Sequence, residues 1–101
     1  MHIRTRQPVK FLIVDDLEEN LLALDALLER HGLEIHKALS GREALELLLV
    51  HDFALGLIDV QMPDMDGFEL VQLMRGSDRT RRVPIIFVTA GASEAQRISA
   101  G

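Results

Sequence analysis

The sequence predicts a single α/β domain, a parallel sheet with helices on both faces. Three observations carry that expectation. Short apolar runs alternate along the chain with stretches whose leucines recur at helical spacing. The runs around Phe11–Val14, Leu55–Ile58 and Ile85–Val88 are apolar almost throughout, as in strands buried on both faces. The first of these ends on Asp15 and Asp16 and the second on Asp59, so acids collect where strands stop.

Taken in order, Lys10–Asp16 reads as a first buried strand. Leu17, Leu21, Leu24 and Leu28 then mark one face of a helix, with Glu18, Glu19 and Asp25 on other faces. His31-Gly32 stops it, Gly32 serving as a left-handed cap. Leu33–Ala38 alternates apolar and polar, which suits a more exposed strand. Ser40-Gly-Arg-Glu43 is a capping box that opens a helix to about His51. The strand ending at Asp59 follows, then a loop holding Pro63 and Gly67. Phe68 to Met74 forms a short helix ending near Gly76, and Asp78–Arg82 is a polar connection. Val83–Thr89 is another buried strand, with Pro84 near its start, where a missing donor is tolerated. Ser93 caps a fourth helix that has barely begun at Gly101.

Composition narrows the function classes. The chain has 101 residues, enough for one small domain, here a leader at 1–9 and the domain at 10–101. It is 48% hydrophobic and all four aromatics are Phe, so the core is aliphatic and no aromatic recognition surface is expected. A net charge of −5 argues against direct nucleic-acid binding. The absence of cysteine excludes disulfides and thiolate chemistry. No run approaches a membrane span and no apolar segment follows the polar start, so the cytosol is the expected compartment.

In a parallel sheet the carboxyl ends of all strands share one edge, where open α/β sheets bind ligands. The first strand brings Asp15 and Asp16 there, the third Asp59, and the fourth Thr89 and Ala90. Close carboxylates repel by roughly 4 kcal/mol per pair at 4 Å and an effective dielectric of about 20. A divalent cation relieves that penalty, and an all-oxygen donor set suits Mg²⁺ better than zinc or copper. One carboxylate can then act as a nucleophile toward a phosphoryl group, giving an aspartyl phosphate. Each element alone has a plainer reading. Asp15-Asp16 could be a helix cap, Asp64-Met-Asp-Gly67 a turn, and Thr89 an ordinary strand end. Their joint placement on one edge favours the site. His2, His31, His36 and His51 lack metal-ligand spacing and read as surface residues, and Arg75, Arg79, Arg81 and Arg82 read as a solvated loop.

These motifs, F-L-I-V-D-D (Phe11–Asp16), L-I-D-V-Q-M-P-D-M-D-G (Leu57–Gly67) and P-I-I-F-V-T-A (Pro84–Ala90), resemble the receiver domain of two-component response regulators, also found in hybrid sensor kinases. The resemblance covers nearly the whole chain from Lys10 onward. It implies a flavodoxin-like sheet of order 2-1-3-4-5. It implies Asp59 as phosphoacceptor, phosphorylated by a sensor histidine kinase or phosphotransfer protein. Asp16 would ligate Mg²⁺ with Asp15 in support, Asp59 and the backbone carbonyl of Gln61 completing the protein's share. Thr89 would be the switch hydroxyl, Ala90 the small residue beside the phosphoryl group, and an output domain or effector the recipient of the signal.

The family also has a fifth strand, a fifth helix and a lysine after that strand, and this sequence ends before all three. The resemblance therefore implies a receiver truncated after the fourth strand and the start of the fourth helix. It is expected to be a piece of a longer protein, or to repair the edge strand through a second copy or other partner. An alternative, a phosphohydrolase with an Asp nucleophile, needs a second Asp two residues on, where this chain has Gln61. A degenerate receiver serving only as an interaction module is opposed by the intact Asp15, Asp16, Asp59 and Thr89.

Overall fold

The computed structural model describes residues 8–88, a four-stranded parallel sheet of order β2-β1-β3-β4 with three helices among the described residues. The strands are β1 (Lys10–Val14), β2 (Glu34–Ala38), β3 (Leu55–Asp59) and β4 (Ile85–Val88). The helices are α1 (Glu18–Glu29), α2 (Gly41–Val50) and α3 (Gly67–Arg75). The alternation and its element order are those the sequence predicts. The fourth helix, with Thr89 and Ala90, lies outside the described residues.

Side chains along a strand alternate between faces, and that alternation builds two cores on one sheet. Leu12, Val14, Ala38 and Ile58 join Ala44 and Leu48 of α2 and Leu70 and Met74 of α3 in one buried cluster. Ile13, between Leu12 and Val14, is fully buried outside that cluster, as is Leu21 of α1. The helices therefore cover opposite faces. Burying each such aliphatic side chain contributes about 1.5–3 kcal/mol.

Local chemistry sets the helix ends. Gly32 has φ +76°, so the glycine after α1 takes the left-handed conformation expected of it. Ser40 Oγ accepts from the Glu43 N–H at 3.1 Å, while Glu43 Oε1 accepts from the Leu39 N–H at 2.8 Å, one residue before the cap. The complete capping box is at α3: Asp66 Oδ1 accepts from the Glu69 N–H and Glu69 Oε1 from the Asp66 N–H.

Two sequence readings need correction. The fourth strand is not buried on both faces, since Ile86 is 52% and Phe87 39% exposed. The cause is position: β4 pairs with β3 and with no other described strand. His36 and His51 are not dispersed surface residues, because β2 and the end of α2 stack their rings 4.1 Å apart. The arginines of the connection are exposed, as the sequence suggests, and the connection is held by further contacts. Arg75 donates to the carbonyls of Arg81 and Val83, Arg79 Nε donates to Leu48 O at 3.1 Å, and buried Thr80 donates to Met74 O at 2.7 Å.

Gly67 begins α3 hard against the end of β3. A Cβ there would lie 2.4 Å from the Asp59 carbonyl oxygen and 3.0 Å from Val60 Cα, both backbone atoms that cannot swing aside. Gly67→Ala is expected to lower the urea-unfolding free energy by about 1–3 kcal/mol, the usual penalty of overpacking. An unchanged denaturation midpoint would contradict this packing.

Candidate functional site: an acidic cluster at the carboxyl edge

Strand register makes this site. Val14 of β1 pairs with Ile58 of β3, so the next residue along each strand, Asp15 and Asp59, sits beside the other across one inter-strand spacing. Asp16 follows at the start of the β1–α1 connection. One carboxylate oxygen from each of Asp15, Asp16 and Asp59 lies within 4.8 Å of the others. Asp15 is 2% exposed and Asp59 6%, whereas Asp16 is half-buried.

The two buried acids are held differently. Asp15 Oδ1 accepts from the Leu17 N–H at 2.9 Å and Oδ2 from Asn20 Nδ2 at 3.2 Å. The cap residue of α1 is Leu17, which supplies no side-chain acceptor, so Asp15 satisfies part of that helix end from outside. Asp15 thus combines the helix-end role and the cluster role that the sequence left as alternatives. Among the described residues, Asp59 Oδ1 accepts one longer bond, from the Gln61 N–H at 3.3 Å. Burial, then the neighbouring Asp15 charge, pushes the Asp59 carboxyl up to about 6, and Asp16 adds to the rise while the Gln61 N–H opposes it.

The loop beyond Asp59 is tightly formed. Gly67 N–H donates to Val60 O at 2.9 Å and Met65 N–H to Pro63 O at 2.7 Å. Asp64 takes φ +70°, a left-handed conformation that Asp adopts more readily than most residues. Met62 is buried and Gln61 is exposed. Of the residues expected at the site, Asp15, Asp16 and Asp59 come together and Gln61 stands next to them through its backbone. Thr89 and Ala90 lie outside the described residues, and Val88, the last described residue of β4, pairs with Asp59. Sequence reading missed Asn20 as the partner of Asp15, though it falls one helical turn past Asp16.

Hard oxygen donors, negative charge and partial burial make a cluster fitted to a hard divalent cation. The family model for the response regulator receiver domain matches residues 11–100. The chain belongs to that family. It is 38% identical over 89 residues to the transcriptional regulatory protein SrrA of Staphylococcus aureus, covering 88% of this chain and 36% of that one. It thus spans about a third of the length of the curated relatives it matches. A response regulator receiver protein from Pseudomonas putida superposes with TM-score 0.78 at 26% identity, covering 95% of this chain and 81% of the other. The chemotaxis response regulator CheY4 of Vibrio cholerae gives TM-score 0.76 at 30% identity, covering 93% and 80%. The receiver is a two-component signalling domain and not a classical enzyme. No helix among the described residues is long and apolar enough to cross a membrane.

The raised Asp59 carboxyl has a definite pH signature in the metal-free protein. Its folded value, about 6, exceeds the reference 3.8, so the folded state holds this proton longer than the unfolded chain. The resulting stability is fully present below about pH 4 and is lost as pH rises toward and through 6. Asp59→Asn removes that loss. The variant is expected to exceed the wild type by about 2–3 kcal/mol at pH 7 without divalent cation and to converge with it near pH 4. Urea titrations in chelator at the two pH values measure this, and equal stability at pH 7 would contradict it.

Proposed function

We propose that the chain is a phosphoacceptor receiver in a two-component phosphorelay, with Asp59 as the residue phosphorylated. The observation that carries this reading is the buried Asp59 carboxylate, set among Asp15 and Asp16 on the sheet's carboxyl edge. The donor in this reading is a phosphohistidine on a sensor kinase or phosphotransfer protein. Asp59 supplies an ionised oxygen to phosphorus. The new P–O bond forms as the donor's P–N bond breaks, and the imidazole leaves with the electron pair and takes up a proton.

The chain's own residues prepare that step. The Gln61 N–H donates to Asp59 Oδ1 and orients the carboxylate. Burial limits competing water, and a pKa of about 6 leaves the carboxylate mostly ionised at neutral pH. The residues assigned to Mg²⁺ are Asp15, Asp16, Asp59 and the Gln61 carbonyl. When bound, the ion supplies positive charge that offsets both the cluster and the incoming phosphoryl oxygens. Thr89 is assigned as the hydroxyl that meets the phosphoryl group and Ala90 as the small neighbour, both by family resemblance. The product adds charge at the carboxyl edge and shifts a two-state surface read by an output domain or effector in the cytosol.

Incubation with a small-molecule phosphodonor and Mg²⁺, read by intact mass, tests the assignment. A single hydroxylamine-sensitive phosphoryl adduct is expected on the wild type, lost in Asp59→Asn and suppressed by chelator. An adduct that survives Asp59→Asn would overturn the assignment, as would no adduct on a chain extended by the family's fifth strand and lysine.

A further inference from the structure

At the amino edge of the sheet, opposite the acidic cluster, three elements bring together groups that sequence distance kept apart. Lys10 opens β1, Glu34 and His36 belong to β2, and His51 caps the end of α2. The His36 and His51 rings lie 4.1 Å apart, centre to centre, tilted by 40°. Phe53, itself buried, packs against both at 5.5 and 5.8 Å. His36 Nε2 meets Glu34 Oε2 at 2.6 Å, and Lys10 Nζ meets His51 Nδ1 at 3.2 Å.

The last contact fixes a protonation state. A lysine ammonium has donors and no acceptor, so His51 Nδ1 must offer its lone pair. His51 is therefore neutral in this arrangement, with its proton on Nε2. Protonation would turn Nδ1 into a donor facing a donor. It would also place a cation beside the Lys10 ammonium and against the second imidazole. His36 faces the opposite situation, since its Nε2–H points at a carboxylate that a charged ring would bind more strongly. The pair is thus asymmetric: His36 donates to a carboxylate, whereas His51 accepts from an ammonium and cannot be protonated without breaking that contact. The same two rings do not suit a metal, because the Lys10 ammonium occupies the free lone pair of His51.

We propose that His51, clasped between Lys10 and His36, is a proton-sensitive latch that fastens the end of α2 and the approach to β3 onto β1 and β2. Burial first, then His36 and Lys10, holds the His51 imidazole below its usual value of 6.5, with Glu34 and Asp52 opposing. Asp52 is largely turned outward, toward Arg79 at 3.3 Å. Because the folded value lies below the unfolded one, the latch's stability is fully present above about pH 6.5. It is lost as pH falls below 6.5, where the unfolded chain takes up a proton that the folded chain resists. Glu34 stays charged throughout that window, since its hydrogen bond to His36 holds it below the ordinary carboxylate value. Asp59 acts in the opposite direction over the same range, so the latch is read as a difference between two chains that share Asp59.

The test uses the full chain and His51→Gln, whose side-chain oxygen still accepts from Lys10 but carries no titrating ring. Thermal unfolding of both is followed from pH 7.5 to 5.0 in chelator. The wild type is expected to lose melting temperature relative to the variant as pH falls below 6.5, because its unfolded chain takes up a proton that the folded one resists. An NMR titration of the wild type, which needs no variant to fold, is expected to place the His51 ring below 6.5. Melting curves that fall in parallel, or a His51 ring that titrates at or above 6.5, would overturn the proposal.

Discussion

The rest of the structure depends on one repulsive arrangement, buried Asp15 and Asp59 placed side by side by the β1–β3 register. Neither could be moved without cost. A one-residue slip of β3 would turn Ile58 away from the α2–α3 core and move Asp59 with it. The aliphatic packing that sets the register therefore also enforces the electrostatic strain. Burial, with the Asp15 charge beside it, pushes the Asp59 carboxyl up to about 6. Asp15 is stabilised by two hydrogen bonds from the start of α1, whereas Asp59 has one long bond among the described residues.

The supporting loop follows the same logic. Gly67 lets α3 begin in contact with the Asp59 carbonyl, and the Asp66–Glu69 capping box fixes the helix end that closes the loop. Asp64 accepts a left-handed backbone between them. Close approach, capping and a positive φ together hold the backbone that presents the Gln61 N–H to Asp59.

Much of this was legible in the sequence because it rests on local signals. Strand and helix order followed from apolar periodicity, and the acids at strand ends identified the carboxyl edge before any geometry was known. The glycine stop at Gly32 followed from local chemistry as well. The Asp66–Glu69 box was legible too, but the Asp-rich stretch was read as a turn. What could not be read needed contacts across the fold. His36 and His51 meet only because β2 lies beside β1 and α2 returns to the same edge. The backbone partners of the exposed Arg75 and Arg79 are set only once the fold brings them together. The exposure of β4 depends on which strands flank it, which no local pattern states.

The central claim is that strained carboxylates on this edge form a cation site. Isothermal titration of the wild type with MgCl₂, beside Asp15→Asn and Asp16→Asn, tests it most directly. Saturable one-to-one binding by the wild type, weakened at least tenfold in each variant and accompanied by a rise in melting temperature, is the predicted result. Binding that is absent in the wild type, or unchanged when either Asp is neutralised, would contradict it.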